Sequence, residues 1–126
     1  MHRVTSPDTS DAGIEAEIIA KGLTAPRVTT ADIEANIASE YYFTASQGIS
    51  KAAENHPSYC WEKSLDLLTF CVLVLKNGFT VTGESAVASP ENFDAEIGRK
   101  IARSNAFNKC WPLLGYALKE QLSKAS

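Results

Sequence analysis

Histidine, cysteine, methionine and surplus positive charge are all scarce in this chain of 126 residues. Lysine plus arginine number 12 against 15 acidic residues, a formal net charge of −3, and the isoelectric point is about 5.3. Such a chain lacks the basic surface that displaces counterions from duplex nucleic acid. It can still hold a small anionic ligand through a few local arginines. With two histidines, neither in a helical or strand pattern, a nucleophile has no evident base and orienter. His56 lies near Cys60 and Glu54, but that spacing matches no zinc site, and His2 is terminal. Cys60, Cys71 and Cys110 form no CxxC pair, and read as small buried hydrophobes in a reducing compartment. The longest apolar run, Phe70 to Leu75, is far short of a membrane span. The first residues show no basic stretch followed by an apolar core, so no signal peptide is visible and a cytoplasmic location is expected. NGFTVTGES lacks the spacing and the lysine of a phosphate-binding loop, and no dinucleotide fingerprint occurs. A non-enzymatic binder without metal or cofactor is expected.

What is present suits one domain: 44% hydrophobic residues, 21% charged and a mean hydropathy of −0.13. Residues 1–27 read as a polar extension, with a short helix over Ile14–Leu23 ending near Gly22, and residues 28–126 as the domain. Thr29 or Thr30 caps a helix with Ile33, Ile37 and Tyr41 on one stripe, and the aromatic cluster Tyr41-Tyr42-Phe43 at its end either lines a pocket or, the favoured reading, anchors the helix to the sheet. Residues 47–63 are loop-like, allowing a short helix over Ile49–Glu54. Asn77-Gly78 between apolar runs predicts a hairpin of about Leu67–Lys76 and Phe79–Ser85. A two-residue turn would place Val74 opposite Val81 and Leu73 opposite Thr82.

The first of these strands is apolar on both faces, so its second face needs helices or a partner subunit. Self-association is expected. Ser89-Pro90 starts a last helix running towards Leu122, with a stripe of Phe93, Ile97, Ile101, Phe107, Cys110, Leu114 and Leu118. Pro112 should kink or split it. Gly98 allows close approach, and Trp111 and Tyr116 are expected to pack. The fold class is α+β: an N-terminal helix, an antiparallel β-hairpin whose sheet is completed by oligomerisation, and a long C-terminal helix kinked near Pro112.

At ~100° per residue, Asn92, Glu96, Arg99 and Arg103 fall opposite Phe93, Ile97 and Ile101. Two guanidinium forks at i and i+4 suit a phosphate or diphosphate. The same pattern also describes a solvated helix face with Glu96 paired to Arg99. Phe79, just after the turn, can stack on a nucleobase or pack across the strands.

The segments VTTADIEANIASEYYFTASQG, LTFCVLVLKNGFTVTGES and SPENFDAEIGRKIARSNAFNKCWPLLGYALKEQL resemble a family of small bacteriophage and prophage proteins, the gene-product-49-like family, over about residues 28–122. A hairpin followed by an Asn-bearing helix with paired arginines also resembles the phage Thoeris anti-defence sponges. Those proteins hold cyclic ADP-ribose-type signals at subunit interfaces, and some take cyclic oligonucleotides. That resemblance implies that Arg99 and Arg103 contact phosphates, Phe79 stacks on a base and Asn92 bonds a polar edge. It implies a nucleotide-derived partner, a homodimer or higher oligomer, and the host bacterial cytoplasm. The competing expectations are a phage adaptor that inhibits a host protein and, disfavoured by charge, a nucleic-acid binder.

Overall fold

Capping chemistry punctuates the early part of the computed structural model, which describes residues 6–53 and 62–125. Glu54, His56 and Cys60, whose spacing argues against a zinc site, lie outside those residues, as does His2. The Ser10 hydroxyl accepts from the Gly13 amide at 3.0 Å and opens α1 (Asp11–Ala20). Gly22, at φ 66°, turns the chain away after it. None of the α1 residues is buried. Arg27 ties the helix to the following segment, donating to both Glu15 oxygens at 2.7 and 2.6 Å. Thr29 and Asp32 then form a reciprocal capping box, at 2.8 and 3.1 Å, and start α2 (Thr30–Asn36), which seats Ile33 fully in the core.

The helical stripe expected to run through Ile37 and Tyr41 stops at Asn36. The chain extends instead into β1 (Ile37–Thr44). Its aromatic and β-branched residues favour a pleated surface, and they pair antiparallel with β2 (Leu68–Leu75), Tyr42 opposite Cys71 and Phe43 opposite Phe70. The third strand of the sheet therefore comes from the same chain, and the order is β1-β2-β3, with β3 at Thr80–Ala86. Between β1 and β2 lie α3 (Ala45–Ala52), in a stretch expected to be mostly loop, and a 3₁₀ turn over Lys63–Leu67.

The β2–β3 hairpin forms with a register one residue from expectation: Leu73 faces Val81 and Val74 faces Thr80. Its loop is the longer kind, since Leu75 exchanges hydrogen bonds with Gly78 and Phe79, both at 2.8 Å. Gly78 takes φ 90°, while among the described residues no non-glycine has positive φ. Asn77 thus avoids the left-handed conformation of a type I′ turn, and its Oδ1 accepts from the Phe79 amide at 2.9 Å. This is a type I turn closed by a glycine bulge. The shift turns Val81, Gly83 and Ser85 onto the face of Cys71, Leu73 and Leu75.

That face carries α4 (Ala95–Ala125), a helix of 31 residues, about 46 Å long. Pro90–Asn92 forms a separate 3₁₀ turn, and α4 begins only after Asp94, whose Oδ1 accepts from the Ile97 amide at 2.9 Å. Asn92 is therefore not on the helix. The helix runs unbroken through Pro112, so the expected split does not occur.

The expected helix face is also revised. Gly98, Ala102, Ala106, Phe107 and Cys110 are buried, while Ile97 and Ile101 are 56% and 45% exposed. Small residues win because backbone meets backbone here: a Cβ at Gly83 would collide with the Ala102 carbonyl and the Ala106 amide nitrogen. Gly98 presses on β2 as expected, since a Cβ there would lie 3.1 Å from Thr69 Oγ1. Arg99 and Arg103, each one residue past Gly98 and Ala102, border the packed face instead of lying opposite it.

The core joins Ile33, Cys71, Leu73, Leu75 and Val81 to the small residues of α4. Cys71 and Cys110 are fully buried free thiols, as expected, and burial pushes both pKa values up. Trp111 packs edge-on to Phe107 at 6.2 Å, whereas Tyr116 is 71% exposed, against expectation. On the sheet's other face, Phe43 stacks on Phe70 at 5.4 Å, and a Cβ at Gly48 of α3 would lie 3.4 Å from its ring. Tyr41, Val72 and Val74 continue that face, Tyr41 exposed and the two valines half-buried.

Candidate ligand pocket

The sheet ends where Thr44 pairs with Thr69, and the chain turns away from that end in ways that leave a cleft. Thr44 closes β1 and caps α3 in one residue. Its Oγ1 accepts from the Gln47 amide at 3.2 Å, its own amide donates to Gln47 Oε1 at 2.9 Å, and its hydroxyl sits 3.1 Å from Ser46 Oγ. From the opposite side, the close seating of Gly98 on Thr69 brings the first turns of α4 to the same end. The 3₁₀ turn before β2 supplies Asp66.

Between them lies a cavity of about 420 Å³ lined by Tyr42, Phe43, Thr44, Ser46, Gln47, Asp66, Thr69, Phe93, Ala95 and Arg99. That volume suits a small organic ligand. The N-terminal ends of α3 and α4 both reach it, and each adds a partial positive charge. Arg99 carries no hydrogen bond or ion pair among the described residues. Thr69 is 3% exposed, and its hydroxyl likewise has no hydrogen-bond partner among them. The Tyr42 hydroxyl donates to Glu40 Oε1 at 3.0 Å, and burial first, then that carboxylate, pushes its pKa far above the ordinary phenol value. Tyr42 is therefore a neutral donor.

Arg103, one helical turn from Arg99, is placed quite differently. Its Nε donates to Glu40 Oε2 at 2.9 Å, and Nη1 and Nη2 donate to the two Glu34 oxygens at 3.1 and 2.9 Å. The guanidinium also lies 5.9 Å from the Phe107 ring centroid. Glu34 foremost, and Glu40, hold its pKa above the ordinary arginine value, and Arg103 in turn pulls the Glu40 pKa down. This residue joins α2, β1 and α4, and it borders a second hollow with Glu34, Lys100, Ser104, Phe107 and Asn108.

Phe79 stands 54% exposed at the hairpin tip. The length of β2 separates that tip from Thr69, roughly 20 Å at the rise of a strand. Asn92 is exposed beside Phe93 and does not line the cavity. Of the four residues singled out from the sequence, the protomer places Arg99 in the pocket with Asn92 nearby, and leaves Arg103 and Phe79 elsewhere. Thr44, Ser46, Gln47 and Thr69 were missed. The Thr44–Gln47 capping-box spacing and a polar threonine beginning an apolar strand were the available signals.

A family model described as Phage protein (N4 Gp49/phage Sf6 gene 66) family matches residues 28–122. The chain belongs to this phage protein family. No curated protein and no solved structure matches it. The N4 Gp49/Sf6 gene 66 stretch runs from just before α2 through most of α4, so it includes every residue named around the pocket, while α1 precedes it. Among the described residues, no helix of this family member is long and apolar enough to cross a membrane.

Proposed function

We propose that this phage protein is a non-enzymatic binder that sequesters a nucleotide-derived immune signal, of the cyclic ADP-ribose or cyclic oligonucleotide kind, in the host cytoplasm and so blocks anti-phage defence. The observation that supports it is Arg99, without a partner among the described residues, in a nucleotide-sized cavity among hydroxyls, an amide and two phenyl rings. These groups bind phosphate, sugar and base, and the described lining includes no histidine or cysteine to serve as base or nucleophile. Calorimetry with cyclic ADP-ribose isomers and cyclic di- and trinucleotides tests the reading. Binding should weaken at least about tenfold in Arg99→Ala, the loss of a charge-assisted contact, and heat should release the ligand at unchanged mass. Failure of the wild type to bind any of them would sink the proposal.

A second reading, an adaptor that inhibits a host protein, draws on the open sheet face of Tyr41, Phe70, Val72 and Val74. Capture of one stoichiometric host protein, lost in Val72→Lys and accompanied by no nucleotide, would favour it.

A further inference from the structure

We propose that the outer edge of β3 is a docking site for an extended segment of another protein, which joins the three-stranded sheet as a fourth strand beside Thr80 and Thr82. The site shares no residue with the described lining of the cavity around Arg99, so it stands or falls independently of the ligand-binding reading. The hydrogen-bond parity of the hairpin carries the argument. Leu75 donates to the Phe79 carbonyl at 2.8 Å, and the pairs Leu73–Val81, Cys71–Gly83 and Thr69–Ser85 follow along the strands. Those β3 residues turn their backbone groups to β2, so Thr80, Thr82 and Glu84 turn theirs away from it. In the order β1-β2-β3, no strand among the described residues lies on that side.

One side-chain contact shows the direction directly. The Asn105 amide of α4 donates to the Glu84 carbonyl at 2.8 Å, in the place where the backbone N–H of a further strand would donate. The groups at Thr80 and Thr82 have no such substitute among the described residues. They present N–H and C=O at a repeat of about 7 Å, which another extended chain matches along its length.

The two edges of the sheet differ in how they are protected. β1 carries a bulge between Ile37 and Ser39, and its Thr44 amide is closed off by Gln47 Oε1 at 2.9 Å. β3, reading TVTGESA, has no lysine, proline or register shift, the devices that keep an edge from pairing. It is also held in place, because Gly83 is seated against the backbone of Ala102 and Ala106, and a preformed edge lowers the ordering cost of binding. On the face away from α4, exposed Thr80 and Thr82 favour β-branched neighbours and Glu84 a basic one. The partner is therefore an extended segment rich in threonine, valine or isoleucine, with a lysine or arginine at the Glu84 end.

The test is selection of random displayed heptapeptides on the full chain, then calorimetry and amide hydrogen exchange with the tightest one made synthetically. Enriched peptides should have the composition above, and the peptide should slow exchange at the Thr80 and Thr82 amides at least about tenfold, the effect of one added hydrogen bond. Thr82→Pro removes an outward N–H and no bond to β2, so the fold should hold while the peptide binds at least about tenfold more weakly. Should Thr82→Pro unfold, the exchange measurement on the wild type decides. No enrichment, slowing that spares Thr80 and Thr82, or full affinity in a folded Thr82→Pro overturns the docking site. So does slow exchange at both amides in the peptide-free protein, the mark of a second copy already paired there.

Discussion

Arg99 and Arg103 share a helix and a side-chain type, and their surroundings give them opposite tasks. Arg103 spends its donors on carboxylates 69 and 63 positions earlier in the chain, Glu34 and Glu40. No spacing within α4 reveals those partners, so the sequence shows a pair of arginines where the fold has one strut and one cation with no partner among the described residues. Arg103→Ala should destabilise the protein by about 1–2 kcal/mol in urea titration, more than an isolated surface pair because two carboxylates and a ring lose one partner. Acid should act on the same cluster. Arg103 lowers the Glu40 pKa below its ordinary value, so the folded state binds fewer protons than the unfolded chain. The stabilisation is complete above the unfolded value, about 4.3, and is lost as pH falls through the lower, folded one. Stability measured from pH 6 down to pH 2 should fall less steeply in Glu40→Gln than in the wild type.

Contacts without side chains decide how the helix lies on the sheet. Gly83→Ala places a methyl against the backbone of Ala102 and Ala106, atoms that cannot rotate away, so α4 must lift from β3. A loss of about 3 kcal/mol or more is expected by thermal or urea denaturation, at the upper end for an overpacked site. Gly78→Ala instead meets open space but must keep φ near 90°. Its cost should be about 1–2 kcal/mol, set by the backbone alone.

The same contrast explains which elements were legible. The β2–β3 hairpin, the Thr29 cap and the buried cysteines announce themselves through local chemistry. The strand β1 does not, because Ile33, Ile37 and Tyr41 also satisfy a helical period, and only pairing with β2 decides between the two. Hydrophobic size points to the wrong face of α4, because the sheet selects Gly98, Ala102 and Ala106 for their smallness. The pocket is legible at Arg99 and at the aromatic cluster that supplies Tyr42 and Phe43, while Thr44, Ser46 and Gln47 are hidden because the end of β1 and the start of α3 read differently in the sequence.

At the scale of the whole molecule, α4 closes one side of the sheet, while on the other Tyr41 and Phe43 stay exposed among the described residues. Tyr41 is 58% exposed, and Phe70, Val72 and Val74 beside it are only half-buried. A sheet face this apolar is unusual on a lone protomer, and we propose it as the surface for the self-association expected from the sequence. Face-to-face stacking of two such sheets would bury the aromatic and valine side chains between layers about 10 Å apart, and among the described strand residues of that face the charge to desolvate is Glu84, at the β3 margin. Light scattering on the purified protein should therefore give a mass at least twice the 13.6 kDa of one chain. Val72→Lys places a charge at the centre of that face while leaving the α4-covered core untouched. It should return the protein to a monomer with little change in melting temperature. A wild-type monomer persisting at about 100 μM, where even a weak micromolar dimer is largely assembled, would rule the sheet face out as a self-association surface.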